Sequence, residues 1–167
     1  MYDTILLPTD GSAGFQRVID HAGEVARVHD ADVLALYAVN ASSYTGLPME
    51  ASWEGVREVL DGKGETALRQ VERRMDDELH VETTTAEGRP SREIVRVARE
   101  RDVDCVVMGT HGRGGIDRLI LGSVAERVVR TAPVPVVTVG LSESDTADER
   151  SEETPETDRE PAAPGPG

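Results

Sequence analysis

Short apolar runs alternate with stretches of helical periodicity along most of the chain. Ile5-Leu6-Leu7 is the first run, ended by Pro8. Phe15, Val18, Ile19, Ala22, Val25 and Ala26 then recur at the spacing of one helical face, behind Ser12 as the N-cap. Residues 32–39 read as a second strand, and residues 40–50, with Gly46 and Pro48, as a loop. Residues 51–79 form a helical region with Leu68, Val71, Met75 and Leu79 on one face; Gly62 and Gly64 predict that its first half frays or breaks. Val81 to Ala86 is Thr-rich and alternating, a third strand. Pro90 and Ser91 open a helix that carries Ile94, Val95, Val97 and Ala98. Val103 to Met108 is a strand of the buried type, Ser123 begins a helix with Val124, Val128 and Val129, and Val134 to Val139 is the last strand.

This order, βαβαβαβαβ with continuously apolar strands, predicts an α/β fold: an open five-stranded parallel sheet with helices on both faces. Such a sheet takes its ligands at the carboxyl ends of the strands, where the strand order reverses. The loops that follow the strands are therefore the places to look for chemistry.

Composition changes where that domain ends. Residues 141–167 hold nine acids, only Arg150 and Arg159 as bases, four prolines and little that is large and apolar. That stretch cannot bury enough surface to offset chain entropy, so the expectation is a folded domain over 1–140 and a disordered acidic tail over 141–167. The tail carries half of the chain's net charge of −14. Solvation of an acidic surface is its simplest role, and an interaction role is the alternative.

So acidic a chain argues against nucleic acid and against an anionic membrane surface as partners, since both need clustered cations. No apolar run reaches the roughly 18 residues of a membrane span. The start, Met1-Tyr2-Asp3-Thr4, has no basic segment before an apolar one, so no secretory signal is expected, and the reading is cytoplasmic. Cys105 alone excludes an internal disulfide and a Cys-based zinc site. Of 18 cations only Lys63 is lysine, and aromatics make up 3 % of the chain. Many carboxylates, almost no lysine and small apolar side chains fit a halophilic protein, because concentrated salt screens carboxylate repulsion within about 3 Å at 1 M. An acidic mesophilic protein with a biased codon usage is the alternative.

The loop after the fourth strand runs from Gly109 to Ser123 on the skeleton Gly109-x2-Gly112-x9-Gly122-Ser123. Glycines let the backbone approach a ligand closely. Free N–H groups at the start of the following helix attract a phosphate, and the Ser123 hydroxyl can donate to it. Arg113 and Arg118 are the cations that would offset the charge of a polyphosphate.

That skeleton is followed by Val124-Ala125-Glu126-Arg127-Val128-Val129-Arg130 and Ala132-Pro133-Val134-Pro135-Val136-Val137, and the whole resembles the universal stress protein family. Ile5-Leu6-Leu7-Pro8-Thr9-Asp10-Gly11-Ser12 and Gly88-Arg89-Pro90 are similar to that family's first strand and third-helix entry. The resemblance spans residues 2 to about 140 and carries the full skeleton, which marks the ATP-binding branch. It implies the adenine nucleotide alpha hydrolase-like sheet order 3-2-1-4-5. Pro8, Thr9 and Asp10 would line the nucleotide near its adenosine end, with Ala38 and Val39 offering backbone groups to the adenine edge. Met108 and Gly109 would flank the ribose and phosphate. Gly112, Gly122, Ser123 and Val124 would hold the phosphates, beside His111 and Arg113. ATP would come with Mg²⁺ or Mn²⁺, for which Asp10 is the nearest acid. Family members pair the last strand with its copy across a two-fold axis, which implies a homodimer; the protein client is unknown.

Each residue also has a plainer role. His111 reads first as a partly exposed loop residue, Cys105 as a small buried apolar group and Arg113 as solvent-exposed; Asp10 could be merely a turn residue, though the motif favours its ligand role, and Ser123 serves equally as a cap and as a ligand contact. No nucleophile–base set and no interpretable acid pair stands in the chain, so slow ATP hydrolysis is the most catalysis expected. The function read here is an ATP-binding regulatory protein of the stress response. The alternatives are a dimeric scaffold that binds no nucleotide, and an ATP-hydrolysing or nucleotidyl-transfer enzyme.

Overall fold

The computed structural model describes residues 1–12, 14–39, 53–75, 77–110 and 121–140. The expected order of elements is present: β1 (Thr4–Thr9), α1 (Gln16–His29), β2 (Asp32–Val39), α2 (Trp53–Arg74), β3 (Val81–Glu87), α3 (Pro90–Glu100), β4 (Cys105–Gly109), α4 (Ser123–Thr131) and β5 (Val136–Val139). The five strands form one parallel sheet in the order β3-β2-β1-β4-β5. The chain steps outward from β1 to β3, then returns to the other side of β1 for β4 and β5. Right-handed crossovers in opposite directions place helices on opposite faces.

Strand alternation feeds two cores. Ile5, Leu7, Val33, Ala35, Tyr37, Cys105 and Val107 pack with α1 and α2 residues such as Val18, Ile19, Leu68 and Val71. Leu6, Leu34, Leu36, Val106 and Met108 pack on the other side with Ile94, Val97 and Ala98 of α3 and Ala125 and Val128 of α4. Central strands buried on both faces explain their unbroken apolar runs.

Several local expectations are corrected. Pro8 does not end the first strand; it lies within β1 and pairs in register with Leu36 of β2. Asp32 N–H donates to the Asp3 carbonyl, and Asp104 N–H to the Thr4 carbonyl. Alternation along the strand thus turns residues 4, 6 and 8 toward β4. The N–H that proline lacks would face β4, where register pairing stops after Leu6–Val106. Gly62 and Gly64 do not break α2. A Cβ on Gly64 would stand 2.9 Å from the Tyr37 ring, so the glycine permits close packing of helix on strand. β4 and β5 each begin two residues later than expected. Asp102 takes a left-handed φ of 48° after α3, and Pro133 and Pro135 have no N–H to give a ladder. On α4, Val128 is buried but Val124 and Val129 are exposed.

The opposite, amino end of the sheet is clamped by Asp104. One of its carboxylate oxygens accepts from the N–H of Asp3 at 2.7 Å and of Thr4 at 3.0 Å, and these bonds hold its carboxyl below the usual carboxylate range.

Candidate functional site

The crevice follows from the strand order. β1 and β4 are neighbours at the reversal, and their ladder ends at Leu6 while both strands run on to Thr9 and Gly109. Their carboxyl ends are therefore unpaired with each other at the position where open α/β sheets receive ligands. Pro8, Thr9 and Asp10 stand at one side of this opening, Met108 and Gly109 at the other.

The loop after β1 folds on its own side chains. Gly11 N–H donates to Thr9 Oγ1 at 3.2 Å, and Ser12 N–H to Asp10 Oδ1 at 3.0 Å. Gly11 and Gly14 take φ of 67° and 80°, which the turn requires and glycine supplies without strain. Asp10 therefore has the turn role as an observed fact. Ser12 is not the cap of α1: the N-cap is Phe15, with no side-chain bond to the helix start. The Ser12 hydroxyl oxygen is instead buried and has no hydrogen-bond partner.

Across the crevice, Thr110 joins three segments. Its N–H donates to the Val139 carbonyl at 2.9 Å, and its carbonyl accepts from Gly122 N–H at 2.8 Å. The two ends of the glycine loop are thus tied to each other and to β5. Sequence reasoning passed over Thr110, because these two bonds are main-chain bonds and leave no signal in the residue type. Gly122, rather than Ser123, is the N-cap of α4, with φ −60° and ψ 153° and no side-chain cap; Ser123 is the first helical residue. The first-turn N–H groups of a helix have no intrahelical acceptor, which is the anion-binding property expected of this segment. Ser123 and Val124 are both exposed. His111, Gly112 and Arg113 lie outside the described residues, as do Arg118, the loop of residues 40–50 and the acidic residues 141–167.

At the end of β2, alternation separates the two residues assigned to the adenine edge. Val39 turns its main chain toward β3, and its carbonyl accepts from Gly88 N–H at 2.9 Å. Ala38 turns toward β1, one position beyond the last β1–β2 pair, Thr9–Tyr37. Gly88 has φ 149°, and a Cβ there would meet the Glu93 carboxylate at 2.7 Å. Glu93 is itself buried and paired with Arg96 Nε at 2.8 Å. The Gly88-Arg89-Pro90 stretch thus closes the β3 end over the buried Glu93, whose ion-pair partner Arg96 is exposed. Met108 is buried in the core shared with α3 and α4 and pairs in register with Thr138 of β5.

Among the described residues no three His, Cys, Asp or Glu side chains gather as a metal cage. Asp10 alone fits a divalent ion only where phosphate oxygens and water complete the shell, the usual arrangement for Mg²⁺. Cys105 is fully buried, and burial pushes its thiol upward; it is the inert apolar group expected. No described helix is long and apolar enough to cross a membrane.

Comparison with known proteins agrees with this architecture. Residues 1–140 match the family model described as the universal stress protein family. A universal stress protein of Methanocaldococcus jannaschii is 41 % identical over 140 residues, covering 83 % of this chain and 82 % of that one. A second protein of that archaeon, solved as a hypothetical protein, superposes with a TM-score of 0.75 at 25 % identity, covering 85 % of this chain and 98 % of its own. A universal stress protein solved in complex with cAMP superposes with a TM-score of 0.61 at 24 % identity, covering 84 % and 98 %.

Proposed function

The chain belongs to the universal stress protein family, and from that premise we propose that it is a regulatory protein that binds ATP with Mg²⁺ or Mn²⁺ between β1 and β4. The observation that carries this reading is the paired geometry of the crevice. Two strand ends lie side by side without a shared ladder, and an uncapped helix start on Gly122 and Ser123 is tied to one of them through Thr110. Main-chain donors at such a helix start suit an anionic phosphate in a protein whose net charge of −14 would otherwise repel it. The fold accommodates an adenine nucleotide in the relative solved with cAMP.

In this reading Ala38 offers its main chain to the adenine edge and Val39 lies behind it. Pro8, Thr9 and Asp10 line the adenosine side. Met108 and Gly109 flank the ribose through their main chain, and Gly112, Gly122, Ser123 and Val124 seat the phosphates beside His111 and Arg113. Asp10 reaches the metal through its shell. Bound nucleotide would be sensed rather than consumed. The protein acts as a homodimer through β5, an edge strand whose Val136, Val137 and Val139 are only partly buried, with Val124 and Val129 of α4 exposed. It works in the cytoplasm for an unidentified client.

Denaturing the purified protein and quantifying released adenine nucleotide tests the reading. Adenine nucleotide approaching one per chain supports it; none released, together with no uptake of added Mg-ATP, leaves the dimeric scaffold as the function.

A further inference from the structure

We propose that the outward face of α3 is the docking surface for the chain's own acidic end, residues 141–167, which lie outside the described residues. Ile94, Val95, Val97 and Ala98 form the buried side of α3. Arg92, Arg96 and Arg99 recur at the spacing of one helical face on its other side, with Arg89 at the N-cap in line with them, and all four are exposed. Residues 89–101 hold five arginines and two acids, a net +3, in a domain whose residues 1–140 sum to −7. On other helices Arg69, Arg74 and Arg130 are paired with Glu65, Asp20 and Glu126. On α3 the two acids, Glu93 and Glu100, are both bonded to Arg96, and Arg101 is held by Glu82. Arg89, Arg92 and Arg99 have no ion-pair partner among the described residues, in a chain with 32 acids for 18 Lys and Arg.

The helix itself disfavours this stripe. Like charges three and four residues apart repel, and Arg89 and Arg92 stand at the positive end of the helix dipole. Natural chains keep such local conflicts chiefly at functional positions. The acidic end supplies the missing charge: it holds nine acids and two bases, a net −7. It leaves the domain after β5, at the carboxyl end of the sheet, and α3 follows the parallel strand β3, so Arg89 and Arg92 stand at that same end. The five-stranded sheet is roughly 19 Å wide at about 4.8 Å per strand spacing. The 27 residues can span up to roughly 90 Å, so their reach is ample. A single exposed ion pair is weak, but carboxylates tethered beside several guanidinium groups act together through a high effective concentration. The contact belongs to low ionic strength and is released by salt.

A nitroxide attached through Ser151→Cys in the full-length chain tests this by NMR, since Cys105 is buried and leaves the new thiol as the one labelled. At about 0.1 M KCl, where charges act over about 10 Å, amide signals of residues 89–101 should lose intensity. Those of α1 and α2, on the opposite face of the sheet, should not. The loss should vanish at about 1 M KCl, and also when Arg89→Gln, Arg92→Gln and Arg99→Gln are combined, exposed changes that leave the buried side of α3 intact. The salt comparison uses the labelled chain alone and stands whether or not the combined variant folds. No loss at low salt, a loss that survives either treatment, or one spread equally over both faces overturns the proposal. A loss seen equally when the nitroxide and the observed amides are on different chains overturns it too, and gives the surface to the acidic end of a second copy.

Discussion

Gly62 and Gly64 sit two residues apart on α2 and answer to different constraints. A Cβ on Gly62 meets nothing within 4 Å, whereas one on Gly64 would press on the Tyr37 ring at 2.9 Å. Gly62→Ala should therefore raise stability by up to about 1 kcal/mol through helix propensity. Gly64→Ala should lower it by about 1–3 kcal/mol through overpacking. Urea denaturation of the two variants checks both signs. Neither role was legible in the sequence, because a helical glycine looks like a breaker until the neighbour that needs the space is known. Cys105 was legible: a small residue inside an apolar run is buried whatever the details. With its thiol enclosed and pushed upward by burial, it should resist alkylation in the native protein and react on unfolding, which mass spectrometry after iodoacetamide treatment would record.

At the scale of elements, periodicity located every strand and helix among the described residues, while their ends were set by groups that pattern cannot weigh. Pro8 reads as a stop, yet β1 runs through it because the missing N–H faces a side where pairing has already ended. Ser12 and Ser123 read as caps, yet Phe15 and Gly122 hold those positions. At the other end of β1, Asp104 grips two N–H groups, and its folded pKa is lowered by them. The sign follows: a carboxyl whose folded pKa lies below its unfolded value stabilises the fold above the ordinary carboxylate range. That stabilisation is lost as pH falls through the folded value. Melting temperature should thus fall less steeply below about pH 4 in Asp104→Ala than in the parent, and the variant should be less stable at pH 7.

For the whole molecule, charge and symmetry give the next expectations. A net charge of −14 with Lys63 as the single lysine should make the fold salt-requiring; melting temperature should rise as KCl is raised toward molar concentration, and a flat response would contradict a halophilic adaptation. Light scattering should give a mass near two chains of 18.0 kDa, and charged substitutions at Val137 and Val139 should return it to one. The alternating pattern made the architecture readable, and the glycine skeleton pointed to the crevice. What pattern could not supply was the main-chain wiring, above all the Thr110 bonds to Val139 and Gly122 that fix the ends of the glycine loop. The central claim is that phosphates rest on that main chain, and calorimetric titration of Mg-ATP into the parent and into Gly122→Val tests it most directly. Gly122 has φ −60°, which valine accepts without strain, so the variant should fold and melt like the parent. The account predicts saturable binding of one nucleotide per chain in the parent and at least a hundredfold loss in the variant, about 2.7 kcal/mol. Equal binding by both proteins, or none by the parent at millimolar nucleotide, would contradict it.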